Sequence, residues 1–163
     1  MKYQESLHQE MLTLSKNPKV RFIGYNCLYG SKFYGTLIGC EESVIEVPVA
    51  ENLLCGVGMG LSLEGFLPVL CFERFDFCLT CADALFNHIG GLQHYGLVFP
   101  MIIRVCIGTD SPLDPGVQHR QDYTSMFRMY SGIDVREFSG VYPSEINRPV
   151  MIVERKSSYE TEV

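Results

Sequence analysis

The chain has 163 residues, 47% of them hydrophobic and 20% charged, with a formal net charge of -6. That length suits one domain with a substantial core, and the composition is globular rather than disordered. The acidic balance, with no local cluster of Lys and Arg, argues against a general nucleic-acid binder, and no stretch approaches the roughly 20 apolar residues of a membrane span.

From the amino end, Tyr3, Leu7, Met11 and Leu14 recur at helical spacing, predicting an amphipathic helix over 3–15 that Asn17-Pro18 stops. "VRFIGYN" (20–26) is a β-rich run, "YGSKFYGTLIG" a glycine-punctuated loop, and "VIEVPV" (44–49) a short strand. A helix is expected over 51–64 despite its glycines, then a buried strand, "PVLCF" (68–72). Residues 76–95 predict one long helix with Phe77, Cys81, Leu85 and His88 on a single stripe. "FPMIIRVCIG" (99–108) is almost wholly apolar, as expected of a central parallel strand covered on both faces. A polar loop, a helix near 122–131 and two further strands, "GIDVREF" and "RPVMIVE", complete the series. Strands alternating with helices predict a single three-layer α/β domain over 1–155, a mainly parallel sheet with helices on both faces, followed by a polar tail at 156–163.

The first twenty residues include Glu5 and Glu10 and lack the apolar run of a signal peptide. Seven cysteines, an odd number set mostly in apolar segments, read as core thiols without a disulfide framework. Together these predict a reducing cytoplasm.

"GVGMG" invites a dinucleotide reading, but Gly56, Gly58 and Gly60 are followed by Leu61, so G-x-G-x-x-G is not met. The glycines are better read as letting this helix approach another backbone. "CLTC" (78–81) has metal or redox spacing without a second pair, which favours two core cysteines. His119 stands in a Gly/Pro/Asp-rich loop beyond an apolar strand, where α/β sheets collect ligands. The neighbouring Asp110, Asp114 and Asp122 read as turn residues rather than a metal cage. Glu51 is an acid amid Val, Ala and Leu at a strand-to-helix junction. It is either a helix-start acid favoured by the macrodipole or a shielded carboxyl able to share a proton with a ligand nitrogen, and composition leaves both readings open.

In order, "VPVAEN", "CGVGMGLSLEGFLPVLCFERFDFCLTCADALFNHIGGL", "FPMIIRVCIG" and "PGVQHRQDY" resemble the pyrimidine-binding domain of thiamine-diphosphate-dependent enzymes. The pattern is most like the beta subunit of the 2-oxo acid dehydrogenase first component and is related to the middle domain of transketolase. It spans about residues 3–155. The resemblance implies that Glu51 hydrogen-bonds ring nitrogen N1′ of the aminopyrimidine and stabilises its 4′-imino tautomer, whose nitrogen removes the thiazolium C2 proton. That chemistry needs a carboxyl shielded from water. Phe75 matches the aromatic that stacks on the pyrimidine, a contact contributing about 0.5–1.5 kcal/mol beyond area burial, while Phe72 and Phe77 read as core. Val49 is expected to line the same pocket. His119 matches the histidine expected to contact substrate and move a proton.

Departures accompany the match. Tyr25, among the implied cofactor-binding positions, follows Gly24 where dehydrogenase beta subunits commonly carry an acid. Their His-Ser-Gln loop reads His119-Arg120-Gln121 here, the helix before "NRPVMIVE" is shortened, and the carboxy-terminal beta-subunit domain has no counterpart. No G-D-G followed by Asn is found, and Gly132-Ile133-Asp134 is no substitute, so Mg²⁺ and diphosphate are expected on a partner chain. What the resemblance implies is a beta-like subunit of a split thiamine-diphosphate enzyme, an α2β2 assembly acting on a small 2-oxo acid or sugar by decarboxylation or two-carbon transfer. A non-catalytic assembly subunit keeping the fold is the alternative. A lone nucleotide-binding module is disfavoured by the broken glycine fingerprint.

Overall fold

A computed structural model describes residues 1–97, 99–129 and 132–163. Its six strands are β1 (Val20–Gly24), β2 (Val44–Glu46), β3 (Leu67–Phe72), β4 (Met101–Ile107), β5 (Asp134–Glu137) and β6 (Pro149–Arg155). They pair in the order β2-β1-β3-β4-β6-β5, and every pairing is parallel. All carboxyl ends of the strands therefore lie along one edge of the sheet. β4 is buried at every position, as a central strand covered on both faces is, and includes one charged residue, Arg104.

Each face carries its own core. Helix α1 (Tyr3–Ser15) buries Tyr3, Leu7 and Met11, one residue per turn, against Phe22, Ile102 and Ile152. Each such fully buried side chain contributes about 1.5–3 kcal/mol through removal of apolar surface from water. On the other face, α2 (Glu51–Leu63) packs Leu54 and Cys55 with Leu70, Phe72, Ile103 and Val105. Helices thus cover both faces of the sheet, the expected three-layer arrangement. In α2, Gly58 lies where a Cβ would stand 2.5 Å from Leu70 Cδ2, whereas Gly56 and Gly60 face open space. One glycine of "GVGMG" serves close packing on a strand side chain, and the other two are left uncovered.

The expected long helix over 76–95 is instead a 3-10 segment (Phe75–Cys81), a π-helix (Ala84–Gly90) and a second 3-10 turn (Gly91–Tyr95). The wider π turn moves the apolar stripe by one residue. Leu85 and Ile89 are buried, and His88, expected on that stripe, is exposed. Cys78 and Cys81 are buried beside Cys55 in the core. The helix expected over 122–131 is the single short α3 (Thr124–Arg128), and residues 130 and 131 lie outside the described set.

The polar end of the chain is not a free tail. Tyr159 is 3% exposed, the Tyr3 amide donates to the Thr161 carbonyl at 2.8 Å, and Lys2 and Glu162 form an isolated antiparallel bridge. Tyr159 supplies the apolar anchor that a reading of "KSSYETEV" as polar overlooks. Among the described residues no helix is long and apolar enough to cross a membrane.

Candidate functional site

Three strand ends and one helix start converge on a single cleft. β1 stops at Gly24, whose register partner on β3 is Cys71. A Cβ at position 24 would stand 2.6 Å from the Cys71 carbonyl oxygen and 2.8 Å from Cys27 Sγ, so only glycine lets the chain turn here against β3. The turn is fixed by Glu46 at the end of β2. Its carboxylate accepts from the backbone N–H groups of Asn26 (2.8 Å), Cys27 (2.9 Å) and Leu28 (2.7 Å). Bonds from neutral donors to a carboxylate are about twice as strong as neutral pairs, which makes Glu46 the fastener of this loop. Glu73, just past β3, accepts from Asn26 Nδ2 at 3.2 Å and from Ser31 Oγ at 3.0 Å.

The cleft is half-open to solvent, with an internal cavity of only about 20 Å³. Tyr25, Val49, Leu54, Phe72 and Phe77 give it apolar walls, and Cys71 lies at its floor. Its charged lining residues are Glu51 and Glu73, and no Lys, Arg or His lines it. The lining is therefore matched to a flat, mainly apolar ligand bearing hydrogen-bond donors or positive charge, and opposed to an anionic one.

Glu51 opens α2, with Ala50 at the cap position offering no side-chain oxygen. Its carboxylate is partly exposed and accepts from Thr80 Oγ1 at 3.1 Å. Val49 and Tyr25 are exposed on the cleft rim. Phe75 is placed differently from its expected stacking position. It is 0% exposed, tilted against Phe127 at 5.2 Å and edge-on to Tyr123 at 5.7 Å, in the core rather than on the cleft. The 3-10 turn carries the next aromatic, Phe77, to the cleft wall instead. The resemblance assigns the stacking role to Phe75 and reads Phe77 as a core residue.

His119 does not line the cleft but touches its wall. Its ring is edge-on to Phe77, with centroids 5.6 Å apart and planes at 74°. Nδ1 is buried and, among the described residues, has no hydrogen-bond partner. A buried polar atom left unpaired costs about 1–3 kcal/mol, so a group supplied by a ligand or another chain is the ordinary resolution. Arg120 pins the same loop by pairing with Asp110 at 2.9 Å and Asp114 at 3.6 Å. Asp122 accepts from Arg155 at 2.9 Å. These acids are thus engaged in ion pairs, and among the described residues no three His, Cys, Asp or Glu side chains are grouped to hold a metal ion.

Beneath the cleft lies a buried ionic network that composition did not announce. Arg104 on β4 donates through Nε to Glu154 Oε1 (2.6 Å) and through Nη2 to Glu154 Oε2 (3.0 Å) and Thr36 Oγ1 (3.1 Å). The hydroxyls of Tyr142 (3.2 Å) and Tyr159 (3.0 Å) donate to the same carboxylate. The guanidinium lies 4.2 Å from the centroid of Phe33. Burial alone would depress the Arg104 pKa, and the Glu154 carboxylate more than offsets this, holding it well above its usual value.

The architecture is a parallel α/β domain whose cleft, with an acid at a helix start, lies at the carboxyl edge of the sheet. Comparison with known proteins agrees. The chain is 26% identical over 147 residues to pyruvate dehydrogenase E1 component subunit beta-3, chloroplastic, of Arabidopsis thaliana, and 27% over 141 residues to the E1 component subunit beta of Staurastrum punctulatum. These alignments cover 85% and 81% of this chain but 35% and 41% of the relatives, so the chain spans well under half their length. A solved structure described as a split gene transketolase, inactive beta4 tetramer, shares the fold with a TM-score of 0.73 at 18% identity, covering 98% of this chain and 52% of that one. No protein-family model matches. In sequence the chain is thus similar to dehydrogenase first-component beta subunits, and in fold to the split gene transketolase.

Proposed function

We propose that this chain is the pyrimidine-binding, beta-like subunit of a split thiamine-diphosphate-dependent enzyme. The observation that carries the reading is the cleft itself: apolar walls, an aromatic ring and two carboxylates without a cation. An aminopyrimidine is flat and donor-bearing and fits such a lining, whereas a diphosphate does not. Diphosphate and Mg²⁺ are therefore assigned to a partner chain of alpha type, in an α2β2 assembly.

When bound, thiamine diphosphate would supply the nucleophilic carbon and the electron sink needed for decarboxylation of a 2-oxo acid or for two-carbon transfer. Glu51 hydrogen-bonds the pyrimidine edge and exchanges a proton with its ring nitrogen. Phe77 rather than Phe75 offers a ring face, with Val49 and Tyr25 closing the rim. In this chain alone Glu51 retains access to water, and Val49 and Leu53, two residues to either side of it, and Leu79, next to Thr80, stand exposed. A partner covering that apolar surface would exclude water and raise the strength of the carboxyl's interactions. His119, with its unpaired Nδ1 against Phe77, is assigned to contact substrate at the joint site. Seven free, buried cysteines suit a reducing compartment, and the cytoplasm is proposed for the assembly.

The test is reconstitution: co-express the chain with the product of the adjacent reading frame, add thiamine diphosphate and Mg²⁺, and follow 2-oxo acid or sugar consumption. Wild type should turn over, and Glu51→Gln should lose at least about a hundredfold in kcat, within the range general acid–base groups contribute. Equal turnover by Glu51→Gln eliminates the catalytic reading and leaves a subunit whose cleft serves assembly only.

A further inference from the structure

Thr80 is the residue that touches Glu51, and nothing in the sequence singled it out. Its hydroxyl oxygen lies 3.1 Å from Glu51 Oε2 and 2.8 Å from the carbonyl oxygen of Phe77. A hydroxyl has one proton and two lone pairs, so it cannot donate fully to both neighbours at once. With Glu51 ionised, the Thr80 proton points to the carboxylate. With Glu51 protonated, the carboxyl donates to Thr80 Oγ1, and the hydroxyl proton swings to the Phe77 carbonyl. Either protonation state is satisfied with no heavy atom moving.

The same hydroxyl ties the carboxyl to the turn that carries the aromatic wall. Thr80 and Phe77 belong to one 3-10 segment, while Glu51 belongs to α2, and Asn52 Nδ2 also donates to the Thr80 carbonyl at 3.4 Å. These bonds fix the separation between the acidic edge and the ring face of the cleft. A proton-exchanging group held within hydrogen-bond reach of its target transfers more efficiently than one free to rotate into solvent.

We propose that Thr80 is the positioning residue for Glu51, holding its carboxyl against the Phe77 side of the cleft through both protonation states. The inference rests on the cofactor reading of the cleft given above. Thr80 is exposed in this chain, so its replacement leaves the core intact.

The experiment compares wild type, Thr80→Val, Thr80→Ser and Glu51→Gln in the reconstituted complex, measuring thiamine diphosphate affinity by calorimetry alongside kcat and KM. Thr80→Val keeps the shape and removes the hydroxyl. Its kcat should fall about tenfold, the loss expected for one hydrogen bond to a charged group, with substrate KM changed less than about twofold. Cofactor affinity should fall about threefold or more, and Thr80→Ser should restore both values. Wild-type kcat in Thr80→Val, with Glu51→Gln impaired, overturns the role of Thr80 and spares the cofactor reading. Equal loss in Val and Ser variants likewise overturns it, since the hydroxyl is then irrelevant. No calorimetric binding of thiamine diphosphate by the wild-type complex overturns both.

Discussion

Removing the carboxylate beneath the cleft should be among the most damaging single changes in this chain. In Glu154→Leu, Arg104 stays fully buried, but it loses the acceptor for its Nε and one of two for Nη2. Tyr142 and Tyr159, whose hydroxyls burial pushes well above their ordinary pKa, lose their acceptor with it. Among the described residues Arg104 Nη1 already lacks a hydrogen-bond partner, so they offer the site no spare acceptor. Breaking one partner of a buried ion pair costs about 3–5 kcal/mol, a large share of the roughly 5–15 kcal/mol by which domains are stable. At about 2–4 °C per kcal/mol for a chain of this size, the melting midpoint should drop by about 6–20 °C. Urea titration of wild type, Glu154→Leu, Arg104→Met and the double variant gives the coupling directly. Replacing both partners by apolar residues removes the uncompensated charge, so the double variant should be more stable than either single one. A cost below about 1 kcal/mol for Glu154→Leu, or a double variant equal to the sum of the singles, refutes the reasoning.

Phe77→Ala should weaken thiamine diphosphate binding about tenfold while the fold persists, whereas Phe75→Ala should cost about 3–5 kcal/mol of stability, as deletion of a fully buried ring does. Titration calorimetry and urea denaturation separate the two, and interchanged effects would return Phe75 to the cleft. His119→Ala should depress kcat with cofactor affinity held within about twofold, and lost affinity with intact chemistry would contradict its assignment to substrate. Gly24→Ala should destabilise by about 1–3 kcal/mol, because the added methyl meets backbone at the β1–β3 junction, a shift that circular dichroism melting would register. Burial, with the Glu154 carboxylate adding to it, pushes the Cys106 thiol up to about 12, so little thiolate exists near pH 8. Iodoacetamide at that pH should leave Cys106 unlabelled in the folded chain and label it once urea unfolds it. Rapid native labelling, seen by mass spectrometry, would place this residue outside the core.

What was readable in advance was whatever periodicity encodes. Helix α1 falls where Tyr3, Leu7 and Met11 put it, four strands fall within the runs expected of them and β3 and β6 exceed theirs by one residue each, because apolar β-branched residues suit a sheet covered on both faces. The misses share a cause, since each depends on contacts distant in sequence. The 76–95 segment reads as α-helical in sequence, but its turns pack on α2 and the sheet as 3-10 and π segments that place Phe77 at the cleft and Phe75 in the core. Lys32, Phe33 and Tyr34 form a left-handed turn (φ +48°, +48° and +56°) in which none of the three positions is a glycine, although Gly30 and Gly35 flank it. Phe33 under Arg104, and Tyr34 beneath Lys156 at 4.2 Å, hold it there. The ion pair of Arg104 and Glu154 was invisible for the same reason: each residue alone reads as a lapse in an apolar strand. Glu51 was found by its incongruity among apolar neighbours, while Thr80, one of several hydroxyls on the chain, gave no comparable signal.

The most direct measurement is a crystal structure of this chain assembled with its diphosphate-binding partner and thiamine diphosphate. The expected density shows the aminopyrimidine in the cleft, a ring nitrogen within about 3 Å of the Glu51 carboxyl and one ring face against Phe77. Density that seats the pyrimidine away from the β1, β2 and β3 ends, or that leaves Glu51 turned to bulk water, would contradict it.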